Sequence, residues 1–364
     1  MGNKIALITD THHGIRNDSN IFLENQEKFY DNIFFPKLRE EGITTIIHLG
    51  DYFDRRKYIN FKTLWESNRF FIKKLEEYGI KMHVIAGNHD VAYKNTNKIN
   101  SLDLALRDLP FVHVYTHEIG VLDFGKNCKI KLVPWICSEN HDEFTDNMRN
   151  NPEEANILCG HLEIAGFEMY KGSVSEDGMN VSCLSPYEQV FSGHYHHKSF
   201  KGNIMYLGSS FEFTWSDYND DRGFHILDTD SLELEYIRNP YQMFHKVIFD
   251  KNSDPGMNLD IIKDAFVKVV IKEVNDPYKL DRYLDNVYSH KPYDVQIVDM
   301  REEEIGNMTD EEIQEKAKDT KQLITEYVDT IDEINESAKK ELHDLMSNLY
   351  KQSISEEVDI DDNI

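Results

Sequence analysis

This 364-residue chain lacks the sequence features that mark several large protein classes. It has four cysteines, and none of them form a CxxC pair, so the thiols are predicted to be free in a reducing compartment. No apolar run approaches the roughly 18 residues that a membrane-spanning helix needs. No GxxxxGK[ST] loop is present, so any ATP hydrolysis must come from another chain. These absences predict a soluble, cytoplasmic protein.

Positive charge is also scarce. The chain has 40 Lys and Arg residues against 66 Asp and Glu residues, and its net charge is −26. Proteins that bind phosphate-rich polymers are usually basic, so this balance argues against tight binding of a polyanion by the chain alone. Residues 302–364 carry 20 acidic and 6 basic side chains, so −14 of the net charge lies in this last segment. The charge deficit of the preceding part is therefore smaller.

Hydrophobic residues make up 40% of the chain, which is enough for a sizeable core, and five apolar runs have the pattern of buried strands. These runs span residues 5–13, 43–54, 82–90, 156–163 and 189–197. Residue types that bind metals stand at or near their ends, and they are Asp10, His12, Asp51, Asn88, His89, His161, His194 and His196. Because sites in open α/β sheets form outside the carboxyl ends of the strands, we expect these side chains to meet at one sheet edge.

The spacing of these residues predicts a site for two metal ions. Asp10 and His12 are two residues apart, as are His194 and His196, so each pair can point to one side of an extended segment. The set has too many donors for one ion but suits two ions about 3.5–4 Å apart, the clamp used for phosphoester displacement. Such a pair needs a bridging ligand with two oxygens, for which Asp51 is the natural candidate.

The donor types favour particular metals. Imidazole, carboxylate and amide ligands suit Mn²⁺ or Fe²⁺ better than Mg²⁺, which prefers oxygen ligands alone. No cysteine lies among the donors, which argues against a structural zinc site. A single histidine in an apolar run is more often an ordinary packed residue, and we interpret His48, His83, His113 and His225 in this way.

The motifs DTHH, GDYFD, GNHD, CGH and SGHYH, in this order, resemble those of the calcineurin-like metallophosphoesterase superfamily. Within it, the chain most resembles the SbcD-type nuclease subunit of the DNA double-strand-break repair complex, especially its tailed-phage recombination versions. The strong resemblance covers about residues 1–240. It implies a four-layer αββα sandwich and, if the protein is phage-encoded, a location in the host cytoplasm.

The resemblance also implies roles for the individual ligands. One ion would be held by Asp10, His12, Asp51 and His196, and the other by Asp51, Asn88, His161 and His194. His89 would stay off the metals and protonate the leaving oxygen. Many family members have a second active-site histidine three residues after the bridging aspartate, where this chain has Asp54. Asp54 is therefore either a second catalytic residue or a brace for its loop.

Helices and further strands complete the predicted α/β core. Apolar spacing predicts helices over residues 21–41 and 61–78. The apolar side of the second helix is expected to contain Phe61, Leu64, Trp65, Phe71, Ile72 and Leu75, with Gly79 as its stop. Together with the first three strands these helices form a βαβαβ unit. Shorter strands are expected at residues 112–117, 129–136, 204–210 and 223–230.

A change of pattern near residue 240 predicts three domains, namely 1–240, 241–305 and 306–364. Strands at 243–249, 265–274 and 293–300, with a helix at 279–290, predict a small α+β unit. The resemblance implies that this unit is a capping domain that selects DNA, and the alternative is a mere extension of a sheet.

The last predicted domain has the pattern of a long helix with an acidic end. Thr309 and Glu312 form a capping box, and an apolar stripe continues to Leu349 without an internal Gly or Pro. The resemblance implies that this helix docks onto the coiled coil of an SbcC-type ATPase, and the alternative is packing on its own domain. A homodimer is also expected.

Basic side chains beside the motifs are candidate contacts for DNA phosphates. Arg55, Arg56 and Lys57 follow the second ligand strand, and Lys198 follows the last one. The alternative is an ordinary solvated surface. Because the chain is so acidic, we expect part of the affinity for DNA to come from a partner.

These observations leave three functions to compare. The leading one is a two-metal DNA nuclease that acts as 3′→5′ exonuclease on duplex ends and endonuclease on single strands, within an SbcC/SbcD-like ATP-dependent complex for recombination and repair. The second is a phosphomonoesterase or protein phosphatase of the same superfamily. The third is an inactive scaffold, which the complete set of ligands argues against.

Overall fold

The computed structural model describes residues 4–125, 127–170, 173–175 and 178–300, together with residues 339, 340, 342 and 345. The chain divides into two compact units, residues 1–301 and 302–364. In the second unit the four described residues are helical, and the rest of the predicted C-terminal helix lies outside the described residues. In the part of the chain that is described, no helix is long and apolar enough to cross a membrane.

The strands of the described residues include all five ligand-bearing runs, as predicted. They are β1 (Lys4–Ile8), β2 (Thr45–His48), β3 (Lys81–Ile85), β4 (Val91–Tyr93), β5 (Thr96–Asn100), β6 (Val112–Tyr115), β7 (Gly120–Asp123), β8 (Lys129–Val133), β9 (Ile157–His161), β10 (Glu168–Tyr170), β11 (Ser173–Val174), β12 (Gln189–Gly193), β13 (Ser199–Lys201), β14 (Ile204–Tyr206), β15 (Gly223–Asp228), β16 (Leu234–Arg238), β17 (Phe244–Phe249), β18 (Phe266–Ile271) and β19 (Asp294–Asp299).

The α-helices are α1 (Ile15–Asp18), α2 (Asn20–Phe29), α3 (Phe35–Glu41), α4 (Phe61–Ser67), α5 (Lys73–Tyr78), α6 (Ser101–Ala105), α7 (His141–Asn150) and α8 (Pro277–Ser289). Two π-helical segments, Tyr30–Phe34 and Asn68–Ile72, join α2 to α3 and α4 to α5. Short 3₁₀ turns occur at Pro152–Glu154, Val181–Cys183, Trp215–Asp217 and Asp260–Ile262. The helices predicted over 21–41 and 61–78 are therefore present, each with a π-helical segment inside it.

Two six-stranded sheets pack face to face and form the centre of the first unit. The first has the order β16-β15-β1-β2-β3-β6 and the second the order β13-β14-β12-β9-β8-β7. A buried apolar cluster with Leu7, Ile47 and Phe191 lies between them. The helices α2 to α5 cover the outer face of the first sheet, and α7 covers that of the second. This is the predicted four-layer αββα arrangement.

The pairing directions bring the ligand-bearing ends together. The strands β1, β2 and β3 are parallel to one another. The strands β9 and β12 are also parallel, with Gly193 opposite His161. Because parallel strands end at the same edge, the loops that follow the five runs converge at the carboxyl edge of the sandwich.

One prediction about the second helix is wrong. Phe61 is 89% exposed and Trp65 is 60% exposed, whereas Phe71 and Leu75 are fully buried. The π-helical segment Asn68–Ile72 is the physical reason, because an i→i+5 turn inserts one residue and rotates the preceding turns relative to the following ones. The apolar spacing that is continuous in the sequence is therefore split between two faces.

The strands within residues 244–299 form a three-stranded sheet of their own. The strands β17, β18 and β19 are all parallel, in the order β17-β18-β19. One face packs against α8 through a cluster that includes Val247, Val269, Tyr283 and Val287. The strands and the helix that the pattern after residue 240 predicts are present. The division of the chain into domains at residues 240 and 305 stays a prediction.

Candidate metal centre

The loop after β1 and the loop after β2 are joined by their backbones. The amide N of Asp10 donates to the carbonyl of Gly50 at 3.0 Å, and that of His12 donates to the carbonyl of Asp51, also at 3.0 Å. Asp10, His12 and Asp51 all have positive φ angles, between 44° and 54°, which residues other than glycine seldom adopt. These contacts direct the three side chains toward one another, and the backbone at these positions is strained.

Two glycines in the motifs allow the loops to approach one another closely. A Cβ atom at Gly193 would clash with the Thr9 hydroxyl and the Leu49 carbonyl. At Gly87 it would clash with the Asp51 carboxylate. The glycines of the SGH and GNHD motifs are thus explained by space, because neither has a left-handed backbone.

The first group of donors is Asp10, His12 and His196. The Nε2 atoms of His12 and His196 are 3.1 Å apart. Their distances to Asp10 Oδ1 are similar, at 4.0 Å from His12 and 3.9 Å from His196. Two imidazole nitrogens this close can coexist only with a proton or a cation between them. The Asp10 carboxylate is held in place by the amide N of His194, which donates to both oxygens at 3.2 Å.

The second group of donors is Asn88, His161 and His194. Asn88 Oδ1 lies 3.1 Å from His161 Nε2 and 2.9 Å from His194 Nδ1. His161 is fully buried, and its Nδ1 is 2.7 Å from the carbonyl of Leu49. That contact leaves Nε2 facing the other donors, which is the arrangement expected of a metal-binding histidine.

Asp51 lies between the two groups. Its Oδ2 is 3.6 Å from His12 Nε2 and 3.4 Å from His161 Nε2, whereas its Oδ1 accepts the amide N–H of His89 at 2.7 Å. The sequence suggests a bridge with two oxygens. In the structure Oδ2 is the oxygen that lies near both donor groups, and Oδ1 accepts the His89 amide.

The electrostatics of the centre fit bound cations. Burial, and then the nearby charge of Asp51, raise the pKa of Asp10. Burial opposes protonation of His12 and His161, yet the surrounding carboxylates raise the pKa of each to about 9. Without cations the buried carboxylates thus retain protons on neighbouring imidazoles. The donors contain no thiolate, and imidazole, carboxylate and amide together suit divalent ions such as Mn²⁺ or Fe²⁺.

His89 and Asp54 lie beside the first group. His89 Nδ1 is 2.6 Å from the backbone carbonyl of Asp54, and its ring meets that of His12 edge-on at 4.8 Å. The Asp54 carboxylate lies 3.3 Å from His12 Nδ1, on the side of the ring opposite the other donors. These contacts are those of a brace for the imidazole of His12. A direct catalytic part for Asp54 has no support in these contacts.

The basic residues proposed for DNA contact lie near this edge, where Arg55 and Lys198 contact other protein side chains. Arg55 is hydrogen-bonded to Asn17, lies 3.6 Å from Asp18 Oδ2 and stacks over Tyr58. The ammonium of Lys198 lies 3.5 Å from the centre of the Tyr236 ring. Arg56 and Lys57 directly follow Arg55 in the same loop. The Arg56 side chain is half-buried and that of Lys57 is exposed.

Sequence reasoning missed two aromatic residues at the centre. Trp135 lies 5.2 Å from His194 and 6.0 Å from His161, measured between ring centres. Phe213 lies 5.3 Å from His12 and 5.5 Å from His196. Trp135 follows the carboxyl end of β8, so the same strand-end rule identifies it. Phe213 is on a loop between β14 and β15, and nothing in its sequence context marks it.

The chain is similar to a family model and to known proteins. A family model described as calcineurin-like phosphoesterase matches residues 3–198. Exonuclease subunit 1 of Enterobacteria phage T4 is 31% identical over 352 residues, which cover 96% of this chain and 99% of that protein. The SbcD subunit of the nuclease SbcCD of Staphylococcus epidermidis is 26% identical over 200 residues, which cover 52% of this chain and 47% of that protein.

Two solved structures are also similar. A purple acid phosphatase from yellow lupin seeds has a TM-score of 0.41 and 14% identity, over 65% of this chain and 52% of that one. An archaeal phosphodiesterase has a TM-score of 0.33 and 15% identity, over 65% of this chain and 99% of that one.

Proposed function

Since the chain belongs to the calcineurin-like phosphoesterase family and is a metal-dependent nuclease of the SbcD type, we propose that it hydrolyses DNA with two divalent ions at the candidate metal centre. One ion is assigned to Asp10, His12, Asp51 and His196, and the other to Asp51, Asn88, His161 and His194. The observation that carries this proposal is the single oxygen of Asp51 that faces both groups. Mn²⁺ is the preferred metal, with Fe²⁺ or Mg²⁺ as alternatives.

The residues around the ions divide the work of in-line displacement. Bound divalent ions supply Lewis acidity, which activates water and offsets charge on the phosphoryl oxygens. His89 is proposed as the general acid that protonates the leaving 3′-oxygen. The Asp54 carbonyl, which accepts from His89 Nδ1, fixes the tautomer and the direction of Nε2. Asp51 Oδ1 accepts from the amide of His89 and so links the acid to the bridging carboxylate.

A nuclease assay tests the proposal directly. Labelled duplex and single-stranded DNA are incubated with Mn²⁺, Mg²⁺ or Fe²⁺, and we expect 3′→5′ shortening of duplex ends and internal cleavage of single strands. Asp51→Asn is the variant that tests the two-ion assignment. Asparagine tolerates the positive φ of this position but cannot bridge two cations, so the fold should persist and hydrolysis should cease. Near-wild-type cleavage by Asp51→Asn would contradict the two-ion assignment.

The alternative function is hydrolysis of phosphomonoesters, as in the phosphatases of the superfamily. Relative rates on bis(p-nitrophenyl) phosphate and p-nitrophenyl phosphate separate the two. We expect a preference for the diester. A clear preference for the monoester would favour the alternative.

We also propose that residues 241–305 help to position DNA. Lys246 and Lys268 are paired residues on β17 and β18. They alternate with Val247 and Val269, which face α8, so the lysines occupy the opposite face of this sheet. Burial, and then the charge of Lys246, lower the pKa of Lys268. A phosphate close to both ammonium groups would offset their repulsion.

The same lysine pair is connected to the metal centre through aromatic residues. Lys246 lies over the ring of Tyr218 at 4.6 Å and Lys268 over that of Trp215 at 4.3 Å. Both rings belong to the segment that follows Phe213, which contacts the first ligand group. This continuity favours a DNA-positioning role over a mere sheet extension. Replacing both lysines by Gln should lower the affinity for DNA and make that affinity depend less steeply on salt concentration. Unchanged binding would contradict the role.

A partner and a second copy complete the proposal. We infer that the helix predicted within residues 306–364 binds an SbcC-type coiled-coil ATPase, and that the complex acts in the cytoplasm, that of the host if the protein is phage-encoded. The exposed rings of Phe61 and Trp65 form an aromatic patch on α4 that suits a homodimer contact. Trp65→Glu should then lower the mass measured by sedimentation equilibrium, and a monomeric wild-type protein would exclude the homodimer.

A further inference from the structure

A recess of about 240 Å³ adjoins the second ligand group. His161 lines it on one side, and Trp135, Ile136, Thr145 and Met179 are among its other lining residues. The recess therefore combines apolar and aromatic surface with a few polar groups, directly beside a candidate metal ligand. Its volume is below the range typical of drug-sized ligands, so it suits a single ring system rather than a larger molecule.

The backbone of Trp135 is fixed by three hydrogen bonds. Its amide N donates to the carbonyl of Ala86 at 2.7 Å, and its carbonyl accepts from the side-chain amides of Asn97 and Asn140 at 2.9 and 3.1 Å. The ring is half-buried and lies 5.2 Å from that of His194. A large aromatic ring is thus held at a set position between a ligand group and the recess.

Metal binding does not account for this ring, and core packing accounts for only part of it. The indole has one N–H donor and no acceptor, so it cannot be a metal ligand. One part of the ring packs against the buried apolar cluster of the first sheet. The remaining part lines the recess together with Ile136 and Met179, which are both half-buried. A flat aromatic platform beside a phosphodiesterase centre is the arrangement on which proteins stack unpaired nucleobases.

We propose that this recess binds the nucleobase of the nucleotide adjacent to the scissile phosphate, with Trp135 as the stacking platform. The inference rests on the proposed function, since it assumes DNA at the metal centre. The positions of His89 and Trp135 also show on which side of the scissile phosphate this base would lie. His89, the proposed acid for the leaving oxygen, contacts His12 of the first group, whereas Trp135 contacts His161 and His194 of the second. The base in the recess is therefore that of the nucleotide that keeps the phosphate and is released.

Two consequences distinguish this subsite from a general affinity for DNA. Stacking on an indole depends little on base identity, so all four bases should be accepted. A paired base cannot enter a recess, so the terminal pair of a duplex end must open first, and frayed or mismatched 3′ ends should be shortened faster than fully paired ones.

The test uses the full-length protein with Mn²⁺ and three oligonucleotides that share one sequence. The first is unmodified, the second has an abasic 3′-terminal nucleotide, and the third has the abasic residue one position further from the 3′ end. Removal of the first nucleotide is timed for wild type, Trp135→Ala and Trp135→Phe. On the unmodified strand Trp135→Ala should be slower by roughly tenfold to a hundredfold, and Trp135→Phe should retain most activity. Bound metal should be unchanged in both variants.

The abasic strands decide where the base binds. With the terminal abasic residue, wild type should be slow and Trp135→Ala no slower, because the interaction is already absent. With the internal abasic residue, Trp135→Ala should still be much slower than wild type. Equal rates for Trp135→Ala and an active wild type on the unmodified strand would overturn the subsite and leave the proposed function intact.

Fluorescence gives a readout that needs no turnover. In a Trp65→Phe, Trp215→Phe background, Trp135 is the only tryptophan of the chain. Thymidine 5′-monophosphate should quench its emission, whereas deoxyribose 5-phosphate should not. If the wild-type protein cleaved no DNA, the proposed function would fail, and this titration would still decide the subsite. Equal quenching by both compounds, or by neither, would overturn it.

Discussion

At the scale of single residues, His89 and His161 both contact the Asp51 carboxylate, and we assign them different roles. His161 Nε2 faces the carboxylate of Asp51 and the amide oxygen of Asn88. His89 contacts the Asp54 carbonyl through Nδ1, but it also lies close enough to His12 and Asp51 to complete a metal-binding group with them. Metal content therefore separates an acid from a ligand.

Alanine substitution at each histidine tests these assignments. His89→Ala should keep two metal equivalents per chain and slow hydrolysis by roughly 10²–10⁴-fold, the usual contribution of a general acid. His161→Ala should lose metal, because it removes a nitrogen from the second group. The measurement is elemental analysis of the purified proteins with parallel rate assays. Loss of one equivalent from His89→Ala would make His89 a ligand.

His225 shows how burial of a titratable group affects stability. It is 1% exposed on β15, and neither ring nitrogen has a hydrogen-bond partner among the described residues. Burial, and then the charge of Lys198, lower its pKa to about 3. An unfolded histidine binds a proton below about pH 6.5, whereas the folded one excludes it until about pH 3, so stability is lost as the pH falls through this window.

His225→Leu should remove this pH dependence. The variant should be about 1 kcal/mol more stable at neutral pH, since an unpaired buried polar group is removed. Between pH 7 and pH 5 its free energy of unfolding should fall by about 2 kcal/mol less than that of wild type. Urea unfolding at the two pH values measures both effects. An equal slope for His225→Leu would contradict the account.

At the scale of elements, Asp90 connects the loops that carry the ligands. Its carboxylate accepts from the amide N of Tyr52 at 3.1 Å, of Phe53 at 3.2 Å and of Gly87 at 2.9 Å. The Ser101 hydroxyl adds a weaker bond at 3.4 Å. Asp90 is fully buried and thus holds the loop after β2 to the loop after β3, the loops that carry Asp51 and Asn88.

Asp90→Ala should therefore damage stability and metal binding together. Three buried N–H groups would lose their acceptor, which should cost roughly 3 kcal/mol or more of unfolding free energy. The displaced loops should also lower the affinity for Mn²⁺. Urea unfolding and calorimetric Mn²⁺ titration measure the two effects. Ser101→Ala removes only the weak bond and should change stability by less than about 1 kcal/mol. A stable Asp90→Ala protein with normal Mn²⁺ affinity would show that the loops hold themselves.

The elements also show how far sequence reasoning reaches. Strand ends and motif order predicted which residues converge, because buried strands and the side of an α/β sheet that forms sites follow simple rules. Phe61 and Trp65 were misplaced because a π-helical segment changes the phase of a helix and has no clear sequence signature. The direction of the Asp51 carboxylate, with Oδ2 toward both donor groups, accompanies a hydrogen bond from the His89 amide to Oδ1. Such a bond is visible only once two loops have been placed in space.

At the scale of the whole molecule, charge and ligands are separated along the chain. The proposed ligands end at His196, whereas residues 302–364 carry −14 of the net charge of −26. We therefore expect a variant that ends at residue 307 to keep metal-dependent cleavage of short substrates and to bind DNA no worse than the full chain. Co-purification with an SbcC-type ATPase and any ATP-stimulated activity should be lost. Unchanged affinity for the ATPase in a pull-down would instead favour packing of this segment on its own domain.

The proposed ligands lie close together in the folded protein but are synthesised at different times on the ribosome. Asp10 and His194 are separated by 184 positions, and β15, the antiparallel partner of β1, is made later still. A ribosome adds roughly 5–20 residues per second, so roughly ten to forty seconds pass between the synthesis of these two residues. During that interval the nascent chain has only a fraction of its donors. The nucleic acids around the ribosome are thus not exposed to a half-made enzyme that is already active.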